Sequence, residues 1–352
     1  MAYTTINKST DHFDGKIYLG SSNAVTVSGL GFQPDWVWVK DRDNGNNHVW
    51  VDAVRGAGKY IQSNLNNAQV NNSSQSISAF TSDGFTTGTA NPANESASTT
   101  KGFMSWNWKA GGGQGSANND GSINTTYTSA NTTAGFSISQ YTANGTSGAT
   151  VGHGLGVVPK MIIVKALNTT DNWEVYHGSL GAEKYLELNR QDAVADSAQI
   201  WNDTEPTSSV FSIGNNSGVN TNGNPYIAYC FAEKKGYSKF GKYNGNSNAD
   251  GTFVYTGFKP AFINIKASSR QESWYMFDNK RIGRNPDNEQ LYSDANSTEA
   301  TQDYLDILSN GFKLRLNNVG LNGSGETYVY MAFAEEPLVA NVGANGIPAT
   351  AR

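Results

Sequence analysis

The chain has 352 residues, 37% of them hydrophobic and 16% charged, with a formal net charge of −5. So much apolar and aromatic content excludes a disordered chain, and the scarcity of strong helix formers argues against long helices. A negative balance without any basic run speaks against nucleic acid as a partner, because phosphates demand concentrated positive charge.

At the N-terminus, MAYTTINKSTDHF has neither a basic start nor an apolar stretch, so no secretory signal is expected. No apolar run approaches the ~20 residues that span a bilayer, so no membrane insertion is expected. Beyond it, Tyr, Trp, Phe, Val and Thr alternate with clusters of Gly, Asn, Ser and Asp, which predicts many short strands joined by turns. The first clear strand lies in GLGFQPDWVWVK, ending at Lys40, where Pro34 sits at a strand start that needs no ladder N–H. DRDNGNN, Asp41 to Asn47, resembles half of a calcium loop around Asp41 and Asp43, but lacks the distal glutamate of an EF-hand. The same residues suit a hairpin turn.

A second strand, HVWVD, follows. GAGKYIQS, from Gly56, lacks both the first glycine of a phosphate loop and the Ser or Thr after its lysine. FTSDGFTTG and the closing strand FMSWNWKAGGG complete the first unit, and Gly111 to Gly121 has linker composition. The landmarks then return in the same order. GLGVVPKMIIVK, WEVYH, SSVFSIG and YIAYCFAEKKGY form the second copy, and YTGFKPAFINIK, WYMFD, LSNGFKLR and YVYMAFAEEP the third. In the third, Tyr304, Leu305 and Leu308 recur at 3–4 spacing before Gly311, so Ser297 to Phe312 reads as a helix.

The fold class expected is therefore all-β, with three tandem antiparallel β-sandwich modules of jelly-roll type. Their boundaries fall at 1–113, 114–236 (with the Gly/Asn linker) and 237–337, and 338–352 is an extended tail. Along the proline strands, Val37 and Val39, Ile162 and Val164, and Ile263 and Ile265 share one face. Along the closing strands the rows are Met104, Trp106 and Trp108, then Ile227, Tyr229 and Phe231, then Val329, Met331 and Phe333. Each row is expected to fill the core of its own module.

Chemistry is sparse. The four histidines, His12, His48, His153 and His177, lack zinc-ligand spacing, and the one cysteine, Cys230, excludes an intramolecular disulfide. Within YIAYCF it reads as a small buried apolar residue. Glu335 and Glu336 are adjacent and face opposite ways in a strand, so they do not form an acid–base pair. No cofactor, metal ligand set or catalytic residue is expected. The tryptophans are the suggestive group. Trp36, Trp38, Trp50, Trp173 and Trp274 form a candidate aromatic surface for a ligand or partner if their face is open, and core if a second layer covers it.

Taken together, AYTTINKSTDHF, GFQPDWVWVKDRD, DAVRGAGK, HGLGVVPKMIIVK, YIAYCFAEKKGYSKFGKYNGN, ADGTFVYTGFKPAFINIK, YMAFAEEP and GIPATAR resemble the repeat-containing virion proteins of tailed phages of marine bacteria. These are described as uncharacterised, tail-fibre or lectin-like, and the resemblance covers nearly the whole chain. It implies a non-enzymatic structural component, a fibre, tail appendage or capsid decoration, located in the virion after assembly in the host cytoplasm. The partners implied are other virion proteins and a homo-oligomer, with a trimer favoured. A host-surface glycan is the alternative partner, which would make the chain a receptor- or carbohydrate-binding adhesion module.

Overall fold

The structure is a computed structural model, and it describes residues 3–281, 285–286, 288–342 and 345–348. Among the described residues its sheets pair antiparallel throughout, with one isolated parallel bridge between Ile123 and Val151, and the few helices are single turns such as Ala198–Trp201, Ser217–Asn220 and Val319–Asn322. The protein is all-β.

Each repeat builds one large sheet around the same four strands. The opening strands are Phe13–Tyr18, Phe136–Thr142 and Ser238–Asn244, and the proline strands are Trp36–Asp41, Met161–Ala166 and Phe258–Ala267. The second strands are Val49–Asp52, Trp173–His177 and Trp274–Asp278, and the closing strands are Phe103–Trp108, Pro225–Phe231 and Thr327–Pro337. In all three sheets the closing strand lies between the opening and proline strands, and the second strand flanks the proline strand. The registers coincide too. Val37 faces Val51 and Asn107, Ile162 faces Tyr176 and Cys230, and Ile263 faces Phe277 and Ala332. These three residues therefore occupy one position of a threefold-repeated unit.

A small sheet covers one face of each large one. Thr26–Val27, Gly84–Thr87 and Ile77–Thr81 cover the first, Ala149–Gly152 and Val210–Ile213 the second, and Phe253–Tyr255, Gly311–Leu314 and Leu305–Leu308 the third. Between the layers lie three separate cores. One holds Val37, Val39 and Phe85, another Ile162, Val164, Ala228 and Cys230, and the last Ile263, Ile265, Tyr330 and Ala332. Two further devices recur inside them. A stacked aromatic pair ties the opening to the closing strand: Tyr18 on Phe103 at 5.1 Å, Tyr141 on Tyr226 at 5.3 Å, and Tyr243 on Tyr328 at 5.0 Å. The opening-strand tyrosine of each pair also donates to a carbonyl, of Ala93, Val219 or Leu321. Beside it a buried asparagine, Asn94, Asn220 or Asn322, donates to two loop carbonyls and accepts from a backbone N–H, so buried loop backbone is satisfied.

The other face of all three large sheets fills a fourth core, and here the structure corrects the expectation of separate interiors. Met104, Trp106 and Trp108, Ile227, Tyr229 and Phe231, and Val329, Met331 and Phe333 all belong to one continuous cluster. The reason is the strand period. Both faces of a proline strand are apolar, and alternation alone does not say whether the second face meets its own module or a neighbour.

Three other expectations change. Ser297 to Phe312 is not helical. Leu305–Leu308 and Gly311–Leu314 form a hairpin in which Leu305 and Ile307 point inward at a period of two. The glycine-rich connection is pinned rather than slack, because the Asp35 carboxylate accepts from Gly112 N–H at 2.9 Å and Gly113 N–H at 2.6 Å. Both glycines hold positive φ, which a side chain would strain. Within the tail, Val339–Val342 pairs with Asn345–Pro348 as a hairpin, so its backbone groups satisfy one another.

Candidate functional site: the seams between the modules

The five candidate surface tryptophans are not a surface. Trp36, Trp38, Trp50, Trp173 and Trp274 are all fully buried in the shared core. Trp36 stacks on Trp108 at 4.1 Å and meets Trp50 edge-on at 4.5 Å, and Trp50 meets Trp173 across the first seam at 4.7 Å. The aromatics that do face solvent lie elsewhere: Phe253 is 45% and Tyr255 51% exposed, on one face of a short edge strand. Alternation around buried Val254 was the signal that could have found them.

Each seam is closed by the same three positions. The first is Asp52, His177 or Asp278. Asp52 accepts from Tyr229 Oη at 2.7 Å, Asp278 accepts from Trp106 Nε1 at 3.0 Å, and His177 Nε2 lies 3.2 Å from the Tyr330 carbonyl. Tyr229 and Trp106 occupy equivalent places, opposite Ile163 and Trp38. In the third copy that place, opposite Asn264, belongs to Met331, which carries no strong donor, and the histidine uses a backbone carbonyl instead.

The second position is His48, Trp173 or Trp274. Trp173 Nε1 donates to Leu65 O at 2.9 Å and Gln62 O at 3.2 Å, and Trp274 Nε1 donates to Glu187 O at 3.0 Å. His48 Nε2 lies 2.8 Å from Tyr292 O, while its Nδ1 sits 2.7 Å from Trp38 Nε1. An indole N–H only donates, so Nδ1 accepts and the imidazole proton is on Nε2. Burial, then Lys40, pushes the His48 pKa down to about 3, and burial pushes that of His177 down to about 4. Both rings are neutral struts.

The third link is backbone to backbone. Gln69 N–H donates to Leu167 O at 2.9 Å, Val194 N–H to Ser268 O at 2.8 Å, and Glu299 N–H to Arg42 O at 3.2 Å. The accepting carbonyl always lies two residues beyond a buried lysine, Lys40, Lys165 or Lys266. Each ammonium donates to the carbonyl of the next residue, at 2.6, 2.8 and 2.7 Å. Burial pushes each lysine pKa down to about 8. The seam joining the first and third modules adds ions. Arg42 grips Glu299 through Nε and Nη2, both at 2.8 Å, and Arg281 Nη1 adds a contact at 3.1 Å. Burial alone would raise the Glu299 pKa, yet the two arginines hold it below the ordinary range.

Elsewhere several chemistry-bearing groups are also engaged, whereas the buried Glu174 carboxylate keeps Oε2 without a partner among the described residues, and burial pushes its pKa well up. The Asp41 carboxylate accepts from the backbone N–H of Asp43 and Asn44 and from Ser98, and Asp43 accepts from Lys101 and Gly102 N–H, so N–H and O–H donors take the oxygens of the calcium-like loop. Among the described residues no group of three or more His, Cys, Asp or Glu is placed to hold a metal ion. Burial pushes the Cys230 thiol well up, into its unreactive neutral form. His153 accepts from Leu155 N–H and lies 3.2 Å from Thr207 O, and half-buried His12 contacts Asn131 and the Tyr237 ring.

A concave feature lies across the first seam. A cleft of about 370 Å³ between the first and second modules is lined by Arg55, Lys59, Gln69, Asn71, Gln140 and Asn168, over Leu167 and Pro225.

The family model described as "Domain of unknown function (DUF7483)" matches residues 8–337, which takes in all three modules. The chain belongs to this family. No curated protein matches it, and no solved structure does. The DUF7483 match thus spans the whole threefold ring rather than one repeat of it.

Proposed function

We propose that this DUF7483 protein is a non-enzymatic structural component of a phage particle, a fibre, tail appendage or capsid decoration. The observation that carries this reading is the closed ring. Three equivalent modules meet through three equivalent seams around one tryptophan-rich core. Of the groups apt for acid–base work, His48, His177 and Glu299 bond across seams, and Lys40, Lys165 and Lys266 each brace the stretch of chain that carries a seam carbonyl. Such a body is stiff, and its threefold symmetry is completed within one polypeptide, so a trimer of chains is not needed to close it. Threefold pseudosymmetry suits attachment to a symmetric particle.

The test is mass spectrometry and antibody labelling of gradient-purified phage particles from the parent phage. A stoichiometric copy number on intact particles is the expected result, and presence only in the infected-cell lysate would refute it. A second reading, adhesion to a host-surface glycan, is favoured by exposed Phe253 and Tyr255, which stand two residues apart on one face of an edge strand.

A further inference from the structure

We propose that the cleft between the first and second modules is a binding site for a hexuronate-type sugar, a polyhydroxylated ring bearing one carboxylate. This goes beyond the particle reading and does not depend on it.

The residues that line the cleft differ from those at the equivalent positions of the other two seams. At its mouth Lys59 stands across from Asn71 in a short strand pair. The equivalent cross-strand pairs are Lys184 with Asp196 and Glu289 with Thr301. Lys184 is neutralised by Asp196 at 3.8 Å, and Glu289 accepts from the Thr301 hydroxyl at 2.9 Å. Asn71 offers Lys59 no charge, and among the described residues no carboxylate lies within ion-pair distance of that ammonium. Of the three equivalent places, this one alone holds an uncompensated cation.

Behind it the carboxamides are set in order. Arg55, fixed by Asp52 at 2.5 Å, donates from Nη1 to Gln69 Oε1 at 3.2 Å. Gln69 Nε2 then donates to Asn71 Oδ1 at 2.8 Å, which leaves the Asn71 NH2 group available to donate. On the far wall the Gln140 carboxamide makes no hydrogen bond within the described chain, and Asn168 is exposed, with one contact, to Asn224. The corresponding residues of the second seam are Leu180 for Arg55, Val194 for Gln69 and Lys242 for Gln140; in the third seam Arg281 recurs at the place of Arg55, but Glu299 and Ile17 replace the two glutamines, so the carboxamide array belongs to the first seam alone.

Carboxamides both donate and accept, which matches the vicinal hydroxyls of a sugar. Leu167 and Pro225 give an apolar floor for its C–H face, and Lys59 a counter-charge for a carboxylate. A volume of about 370 Å³ falls at the small end of ligand sites, the scale of a mono- or disaccharide.

The experiment is a titration of the full-length, isotope-labelled protein with digalacturonate at low ionic strength, read by amide chemical shifts and calorimetry, with lactose as the neutral control. Saturable shifts confined to the cleft are expected, with affinity falling as salt rises. Lys59→Gln or Gln140→Ala should each weaken binding ~10-fold, while Lys184→Gln, at the equivalent place in the second seam, should leave it unchanged. Circular dichroism confirms that each variant is folded. Failure of digalacturonate to bind, equal binding of lactose, or binding untouched by both cleft variants would each overturn the proposal. None of these results bears on whether the protein is found on particles.

Discussion

The hydroxyl of Tyr229, in the second module, donates to the carboxylate of Asp52, in the first, at 2.7 Å across a fully buried seam. Asp52 also holds Arg55, so one carboxylate sets the end of a strand and the contact between two modules. Tyr229→Phe removes one donor from a buried anion and keeps the ring. A loss of about 1–3 kcal/mol is expected in urea denaturation. A neutral result would mean that Asp52 does not rely on its neighbour.

The seam that closes the ring is the most highly charged. Glu299→Ala strands Arg42 and Arg281 without their shared carboxylate in a dry environment. The expected cost is about 3–5 kcal/mol, well above that of removing an exposed pair such as Lys8 with Asp11, which solvent screens. Thermal denaturation of Glu299→Ala and Asp11→Ala side by side measures the difference.

Two neighbouring tryptophans should respond differently to the same change. Trp38 Nε1 donates to His48, whereas Trp36 Nε1 meets no acceptor among the described residues. Trp38→Phe leaves His48 Nδ1 unsatisfied in addition to the lost volume, so it should destabilise more than Trp36→Phe, by about 1–2 kcal/mol. Equal losses in calorimetry would contradict the strut role of His48.

Stability should rise through mildly alkaline pH. Lys40, Lys165 and Lys266 titrate near 8 when folded and near 10.5 when unfolded, because burial disfavours their charge. Between those values the unfolded chain holds the extra protons, so each lysine adds up to about 1.4 kcal/mol of stability per pH unit. Above pH ~10 the buried tyrosines reverse the trend. Burial raises Tyr18, Tyr141 and Tyr243 well above their ordinary value, so the unfolded chain ionises first. The expected Tm climbs from pH 7.5 to about 9.5 and then drops, and Lys→Met at the three positions flattens the climb. A Tm that falls steadily from pH 7.5 would contradict the assignment.

The all-β fold and the equivalence of Val37, Ile162 and Ile263 were legible because turns, prolines and alternation recur at fixed offsets. The role of Trp36 and Trp38 was not. A period of two separates the faces of a strand but does not name what covers each one, and here a neighbouring module covers the tryptophan face. The hairpin that replaces a helix at 297–312 has a similar origin. Leu305 and Leu308 fit a helical spacing, yet buried Leu305 and Ile307 fit a strand, and Ser309–Asn310 forms the turn. The cleft was invisible because its walls, Asn71 and Gln140, lie far apart in sequence and come from different modules.

Equilibrium urea unfolding bears most directly on the shared core, followed at once by tryptophan fluorescence, which reports chiefly on the first module, and by backbone dichroism of the whole chain. One coincident transition, with an m-value set by the surface of all three modules together, is the result a common core requires. Two or three separated transitions, or a soluble, folded fragment 1–113 with its tryptophan face bared to water, would show instead that the modules stand alone.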